Sequence, residues 1–454
     1  MRSCGALLLI VVAIGCGQSS QANILLILVD TMRADHLSCY GYSRDTSPSI
    51  DALASNAIRF ERAYATSSWT KPSVASIMTG LYPSAHTVQH MGSHLPQEAE
   101  TLAEILSEAG YQTNAVVSHH LISDRFDYAQ GFDQFVDRDA RGHDHVSTPG
   151  VTASALGMLD RLRTDSRPFF LFVHYFDPHF SYKPHTEVGE SPRGAGRLHG
   201  GERMRVLRDL DPPPTDEERQ FLIDLYDGEI RFTDAGIGEL LKALDRHGLR
   251  EETIVVLTAD HGEEFYERGW LGHTRTLYDE NVRVPLIVDL PGMPGGKVVE
   301  QPVSLAALPA TLLEFVGVSH EHRSFHAASL LGLVKGGEPE PAAVFAEVDY
   351  DENRGPGMYT RKRSAFMRAL IRGDHKLILD RYTNQYELYD LSRDPHETRN
   401  LFGVEAELSE AMRGELDRFP GNHGPPISGL DTNSELSEAE RVMLRELGYI
   451  DEAR

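Results

Sequence analysis

Asn23-Ile24-Leu25-Leu26-Ile27-Leu28-Val29-Asp30 is an unbroken aliphatic run set between a polar residue and a carboxylate. A strand with one wet face alternates apolar and polar residues. A run with no alternation is buried on both faces, as in a parallel sheet covered by helices on either side. Ligands of open α/β sheets bind beyond the carboxyl ends of the strands. The run therefore fixes a fold class and sets Asp30 where chemistry is expected.

The same pattern recurs outward from this strand. Thr113–Val117, Phe169–Val173, Ile254–Thr258 and Leu286–Val288 read as further strands. Helical stretches separate them. Pro48–Ala57 follows Ser47 as a cap, Thr101 and Glu104 form a capping box for a helix that Gly110 closes, and Ser154–Arg163 precedes the third strand. Thr215 and Glu218 form another box, opening a helix to about His247-Gly248 with an apolar stripe through Leu222, Leu225, Tyr226, Ile230, Ile237, Leu241 and Leu244. Strands alternating with helices predict an α/β fold, a mostly parallel sheet sandwiched by helices. Lys183–Pro214 lacks periodicity and reads as a long surface loop. Gly332–Glu340 is rich in Gly and Pro and marks a boundary. Beyond it, short strands at Ala342–Glu347, Ala365–Ile371, His375–Leu379 and Tyr386–Tyr389 predict a smaller α+β domain with an antiparallel sheet. The expected layout is a catalytic domain over 21–335, a subdomain over 336–420 and a tail over 421–454, whose short helix is capped by Ser437 and Glu440.

The chain has 454 residues and a net charge of −24, which argues against non-specific binding to nucleic acid. An anionic substrate must therefore meet local positive charge or a metal. Residues 1–20 differ in kind: Arg2, an apolar core Ala6–Ile14 and a small-residue end read as a secretory signal. Cys16 after Ala13-Ile14-Gly15 resembles a lipoprotein processing box, with Ala13 where Leu is usual. The expectation is an exported protein, periplasmic or lipid-anchored to the cell envelope, touching a membrane only through that anchor. Cys4, Cys16 and Cys39 are the only cysteines, too few for a disulfide framework.

Three segments carry the chemistry. Asp30 ends one strand, and Ala259-Asp260-His261-Gly262 ends another. Carboxylate oxygens with an imidazole nitrogen suit a divalent cation, and two neighbouring carboxylates are costly without one. The third segment is Ser68-Trp69-Thr70-Lys71-Pro72-Ser73, where Pro72 suits a first helical turn and Gly80 the helix end. Thr70 then sits near the N-cap. Plain capping explains it in isolation; beside the metal pair it reads as a nucleophile whose anionic ester the helix start favours.

Together these segments resemble the sulfatase family of the alkaline phosphatase superfamily. Asn23–Tyr42 is similar to the family's first strand and metal loop, and Thr70-Lys71-Pro72-Ser73-Val74 with Thr79-Gly80-Leu81-Tyr82-Pro83 to its nucleophile segment. Thr258–Gly262, Gly272-His273 and Glu387–Leu391 with Asp394-Pro395 continue the likeness. The resemblance implies an alkaline-phosphatase-like core, one divalent metal (Ca, Mn or Zn) held by Asp30, Thr70, Asp260 and His261, and His120, His179 and His273 as residues that bind the ester or protonate its leaving group. It implies an anionic ester substrate, such as a sulfated carbohydrate or a phosphodiester.

The departures bear on mechanism. The family makes formylglycine from Cys or Ser at the position of Thr70, so formylglycine is not expected here. Val74, Ser118 and Thr274 stand where positive residues are usual, leaving Arg275 and Lys71 as the nearest replacements, although solvated surface is the ordinary fate of such a lysine. His261 stands where many sulfatases have Asn. Relatives with Thr at the nucleophile position include nucleotide phosphodiesterases, phosphoethanolamine transferases and lipoteichoic acid synthases, so the resemblance favours phosphoester chemistry. His174, Asp177 and His179 are open to two readings, a second metal site or, for His179, substrate contact with His174 packed at a strand end. The expected activity is metal-dependent hydrolysis of sulfate or phosphate esters. An envelope phosphoester transferase and an inactive binding protein are the alternatives.

Overall fold

A computed structural model describes residues 21–140, 146–189, 192, 194–337, 342–351, 364–419 and 436–446. The expected signal segment with Cys16, and most of the expected tail, lie outside the described residues. In chain order the first strands are β1 (Asn23–Val29), β2 (Ile58–Tyr64), β3 (Gln112–Val116), β4 (Gln134–Val136), β5 (Phe169–Tyr175) and β6 (Thr253–Ala259). A small hairpin follows, β7 (Glu264–Phe265) and β8 (Leu271–Gly272), then β9 (Arg283–Asp289), β10 (Lys297–Val299) and β11 (Val303–Ser304). The last four are β12 (Val344–Asp351), β13 (Ser364–Arg372), β14 (His375–Asp380) and β15 (Gln385–Asp390).

The main sheet runs β10-β2-β9-β6-β1-β5-β3-β4, with β11 also on β2. β1 lies at its centre, parallel to β5 on one side and β6 on the other, and all seven of its residues are buried. That is the outcome an unalternating aliphatic run dictates, because each face meets a helical layer. β9 is the exception to the parallel pattern, antiparallel to both β6 and β2. Helices cover the sheet, among them Asp216–Arg246, whose capping box uses Thr215 and Glu218, and Leu102–Glu108, capped by Thr101 and Glu104. The helix Thr148–Leu162 starts earlier than its apolar pattern suggested, because Pro149 occupies its first turn and Asp177 receives the Thr148 amide at 2.8 Å.

The segment Lys183–Pro214 is less of a surface loop than its sequence implied. It holds the short helix Met204–Arg208 and buries Leu198, Met204 and Leu207. β12–β15 form an antiparallel sheet, and Lys376 within it is fully buried between Asp279 at 2.8 Å and Glu397 at 2.9 Å. The helix Glu438–Glu446 packs near Arg125, whose Nε donates to Glu440 at 2.9 Å, and Leu444 is buried. Among the described residues no helix is long and apolar enough to cross a membrane.

Candidate active site

The site follows from strand register. Val29 of β1 pairs with Ala259 of β6, so the next residues, Asp30 and Asp260, leave the sheet side by side. On the other flank Leu28 pairs with His174 of β5. The turn after β1 is tight: Thr31 has φ 53°, a conformation disfavoured for a β-branched residue and held where surrounding contacts over-determine it. Its amide reaches Asp260 Oδ1 at 3.3 Å, which also accepts from the His261 amide at 3.0 Å. Thr274, at φ 82°, is a second β-branched residue in this conformation, and its amide donates to the Ser68 carbonyl at 2.9 Å.

The helix Thr70–Thr79 brings the alcohol. Trp69, extended at φ −159°, is its N-cap and makes no side-chain cap bond. Thr70 is therefore the first helical residue and not the cap. Its hydroxyl Oγ1 lies 3.2 Å from His261 Nε2. Ser73 Oγ, one turn on, donates to the Asp260 carbonyl at 2.6 Å and ties the helix to the end of β6. Every residue of this helix is buried, and Gly80 ends it at φ 70° with its amide on the Ser76 carbonyl.

His261 Nε2 is 3.6 Å from Asp30 Oδ1 and 3.5 Å from Asp260 Oδ2. Its other nitrogen, Nδ1, lies 2.8 Å from the Gly262 carbonyl, which can only accept. The ring proton is thus on Nδ1, and the Nε2 lone pair faces the carboxylates and Thr70. His179 follows the same logic, with Nδ1 3.1 Å from the Phe180 carbonyl. His273 Nδ1 lies 2.9 Å from Glu263 Oε1, whose other oxygen accepts from Tyr182 at 2.9 Å. His119 is the reverse. Its Nδ1 accepts from the Leu121 amide at 3.0 Å, so the neutral ring carries its proton on Nε2, 3.9 Å from Asp30 Oδ2.

Burial sets the electrostatics. The Asp30 carboxyl is held well above the usual carboxylate range, first by burial and then by Asp260. Burial pushes Glu263 up to about 7, and pushes His174 down to about 4. His273 is pushed well below its ordinary value by burial and by neighbouring His261. Both Asp30 oxygens, Asp260 Oδ2 and both His174 nitrogens are buried without a hydrogen-bond partner among the described residues. Buried polar atoms are rarely left so. Oxygen and nitrogen donors orphaned around one point fit a divalent cation.

The structure thus brings together Asp30, Thr70, Asp260 and His261, with His273 4.4 Å from His261 and His179 4.9 Å from His273 between ring centroids. His120 is turned elsewhere, against Phe126 with its Nε2 3.8 Å from Glu440; its neighbour His119 is the ring that faces Asp30. Lys71 is not on solvated surface. It is fully buried, its Nζ 3.2 Å from the centroid of the Phe126 ring and donating to the Met91 carbonyl at 2.6 Å. Burial holds its ammonium well below the usual lysine range. Arg275 stacks on Trp270 at 3.7 Å, beside a cavity of about 430 Å³ that Arg268, Tyr278 and Glu387 also line. His119 is the residue that the motifs do not single out, whereas His174, open in the sequence to a second metal site or to packing at a strand end, lies beside Asp30. A lone imidazole inside the apolar run Phe169–Phe176 was the available signal for His174.

A buried alcohol at a helix start, beside carboxylates and imidazoles at the carboxyl edge of a parallel sheet, defines an ester hydrolase. The chain belongs to the sulfatase family: residues 22–318 match the sulfatase profile, and residues 266–419 match that of the C-terminal part of N-sulphoglucosamine sulphohydrolase. Human N-sulphoglucosamine sulphohydrolase is 27% identical over 94% of this chain and 95% of its own length. Among solved structures, the phosphonate monoester hydrolase of Agrobacterium radiobacter superposes with a TM-score of 0.71 at 22% identity, covering 92% of this chain and 99% of that one. A second, solved in complex with its substrate D-glucosamine-2-N,6-O-disulfate, superposes with a TM-score of 0.69 at 21% identity, covering 90% of this chain and all of that one. The protein is a sulfatase-like ester hydrolase with a mostly parallel sheet and a C-terminal antiparallel sheet of four strands.

Proposed function

We propose that this enzyme hydrolyses anionic sulfate or phosphate esters with the unmodified hydroxyl of Thr70 as nucleophile and a divalent cation held by Asp30, Asp260, His261 and Thr70 itself. The observation that carries the reading is Thr70 Oγ1 at 3.2 Å from His261 Nε2, which lies 3.6 Å from Asp30 Oδ1 and 3.5 Å from Asp260 Oδ2. A cation bound there lowers the hydroxyl pKa and screens the charge of the ester. Thr70 Oγ1 bonds to phosphorus or sulfur in line while its proton passes to the Nε2 lone pair of His179 or His273, and the bond to the leaving oxygen breaks as that oxygen takes the proton from the same ring. Water then cleaves the ester on Thr70. The free N–H groups of the first helical turn favour the charged ester oxygens.

The histidines divide the remaining work by tautomer. His119 presents a fixed Nε2–H as a donor to the bound ester group. His179 and His273 present Nε2 lone pairs, and either serves as the proton carrier for the leaving group once protonated. Lys71 and His120 take no part, since the first is buried on Phe126 and the second faces Glu440. The substrate reading is an ester group on a carbohydrate or a phosphodiester. Export of the chain, with Cys16 as a lipid attachment point, belongs to the same reading and is tested by fractionation of cells expressing Cys16→Ser.

The direct test is a panel of aryl sulfate, phosphomonoester, phosphodiester and phosphonate esters, run with Thr70→Ala beside the native enzyme. Thr70→Ala abolishes turnover of every ester while metal content persists. Mass spectrometry of the quenched native enzyme locates the added group on the peptide carrying Thr70. Full turnover in Thr70→Ala removes the mechanism. More product with an added alcohol than with water identifies a transferase.

A further inference from the structure

Two carboxylates, a hydroxyl and one imidazole are compatible with either an oxygen-seeking cation or a transition metal. His174 decides between them. It comes from β5, on the far side of β1 from β6, so it reaches Asp30 from the flank opposite His261. Its ring is wholly buried and neither nitrogen makes a hydrogen bond among the described residues. A buried imidazole without partners is an unusual expense in a folded protein, and a ring nitrogen and a carboxylate oxygen held close without a hydrogen bond are explained if a cation lies between them. His174 Nε2 is 3.5 Å from Asp30 Oδ2, while His261 Nε2 is 3.6 Å from Oδ1 of the same carboxylate. Donor atoms of Asp30, His174 and Asp260 all fall within 4.8 Å of one another. Ligands at about 2.0–2.2 Å from a shared ion stand about that far apart or closer.

We propose that His174 is a ligand of this site, which therefore presents two imidazoles, two carboxylates and the Thr70 hydroxyl and takes a first-row transition-metal dication, Mn2+ or Zn2+, in preference to Ca2+. The inference rests on the reading above that the cluster holds a cation. Calcium takes six to eight oxygen ligands, whereas neutral imidazole suits the transition series. His119, although grouped with Asp30 and His179 by distance, is not a ligand: its Nδ1 accepts from Leu121, which leaves a proton and no lone pair on Nε2. A ligand imidazole keeps a lone pair on the nitrogen that faces the ion, as His261 does and as His174, without a hydrogen bond at either nitrogen among the described residues, is free to do.

The experiment uses the full chain, stripped of metal and reloaded with Zn2+. X-ray absorption at the zinc edge is expected to fit two imidazoles per ion, and one imidazole overturns the proposal. Equilibrating the stripped chain with Zn2+ and excess Ca2+, then measuring bound metal by mass spectrometry, is expected to show at least a tenfold lower zinc-to-calcium ratio in His174→Asn than in the native chain. An unchanged ratio in a variant with native circular dichroism overturns it. If His174→Asn does not fold, the absorption result on the native chain decides alone. A native chain that binds no ion sinks the preceding reading together with this one; an ion held by a single imidazole sinks only this one.

Discussion

Replacing Asp30 by Asn should change stability in opposite directions with and without metal. Asp30 is fully buried, set beside Asp260, with the imidazoles of His261 and His174 3.6 Å and 3.5 Å from its two oxygens. Without a cation its charge is a liability, and its carboxyl is held above the ordinary range by burial first. A carboxyl with a raised folded pKa contributes stability that is fully present below the unfolded value and lost as pH rises through the folded one. In chelator, the native protein should therefore weaken as pH climbs above the ordinary carboxylate range, and Asp30→Asn should weaken less. At pH 8 the variant should unfold at the same temperature as the native chain or higher. With metal the order reverses. At an ion concentration about a hundred times Kd, binding to the native state alone contributes about 2.7 kcal/mol. With an unfolding entropy of about 2.1 cal/mol/K per residue over roughly 300 residues, that raises Tm by about 4 °C. Removing one charged partner of a buried set costs about 3 kcal/mol, a factor of roughly 100 in Kd. At the same ion concentration the variant then gains about 0.4 kcal/mol, or less than about 1 °C. Calorimetry in EDTA and across a Mn2+ or Zn2+ titration measures both arms. A variant that is destabilised in EDTA and keeps the full metal-induced shift would refute the argument that this carboxylate faces a cation.

Other outcomes follow from the tautomers and the buried cation. His119→Ala should lower kcat by about 10²-fold or more while leaving bound metal unchanged, since its Nε2–H is read as a donor and not a ligand; loss of the ion from this variant would reverse that assignment. His120→Ala, one residue on, should change kcat by less than about threefold. Lys71→Met should leave kcat/KM unchanged and flatten the pH dependence of stability. A lysine with a lowered folded pKa contributes stability present above its unfolded value and lost as pH falls, so the native chain should gain on the variant as pH rises toward the ordinary lysine range. Denaturant unfolding between pH 7 and 10 measures this.

The fold was legible because the determining signals are local. Six aliphatic residues without alternation can be satisfied only between two covered faces, and capping boxes such as Thr215 with Glu218 write helix starts into four residues. The Lys183–Pro214 segment was misread for the complementary reason. Its buried Met204 and Leu207 share one face of a single helical turn too short to show a period, and Leu198 stands apart from them, so only tertiary contacts reveal that they pack. The antiparallel run of β9 was also hidden, since a buried strand carries no mark of its direction.

The site divides along the same line. Asp30, Asp260 and His261 were readable because each stands at a strand end within a motif. His174 could be named as a candidate ligand but not placed beside Asp30, because that depends on which strand lies beside β1, and the Leu28–His174 register exists only once the sheet is assembled. The choice of His119 over His120 turns on a single hydrogen bond, from the Leu121 amide, which fixes one ring at the start of a short helical turn. These hidden residues bear on the chemistry. Val74, Ser118 and Thr274 stand where the family resemblance expects positive side chains, Lys71 is sequestered on Phe126, and burial lowers the pKa of His174 and His273, which favours their neutral forms. Neutral rings can orient an anionic ester and move its protons, but they offset little of its charge. Arg33 and Arg208 lie near Glu263, but Arg33 is paired with Asp35 and Glu267 and Arg208 donates to the Leu271 carbonyl, so most of the charge neutralisation falls on the cation and activity should depend steeply on metal occupancy.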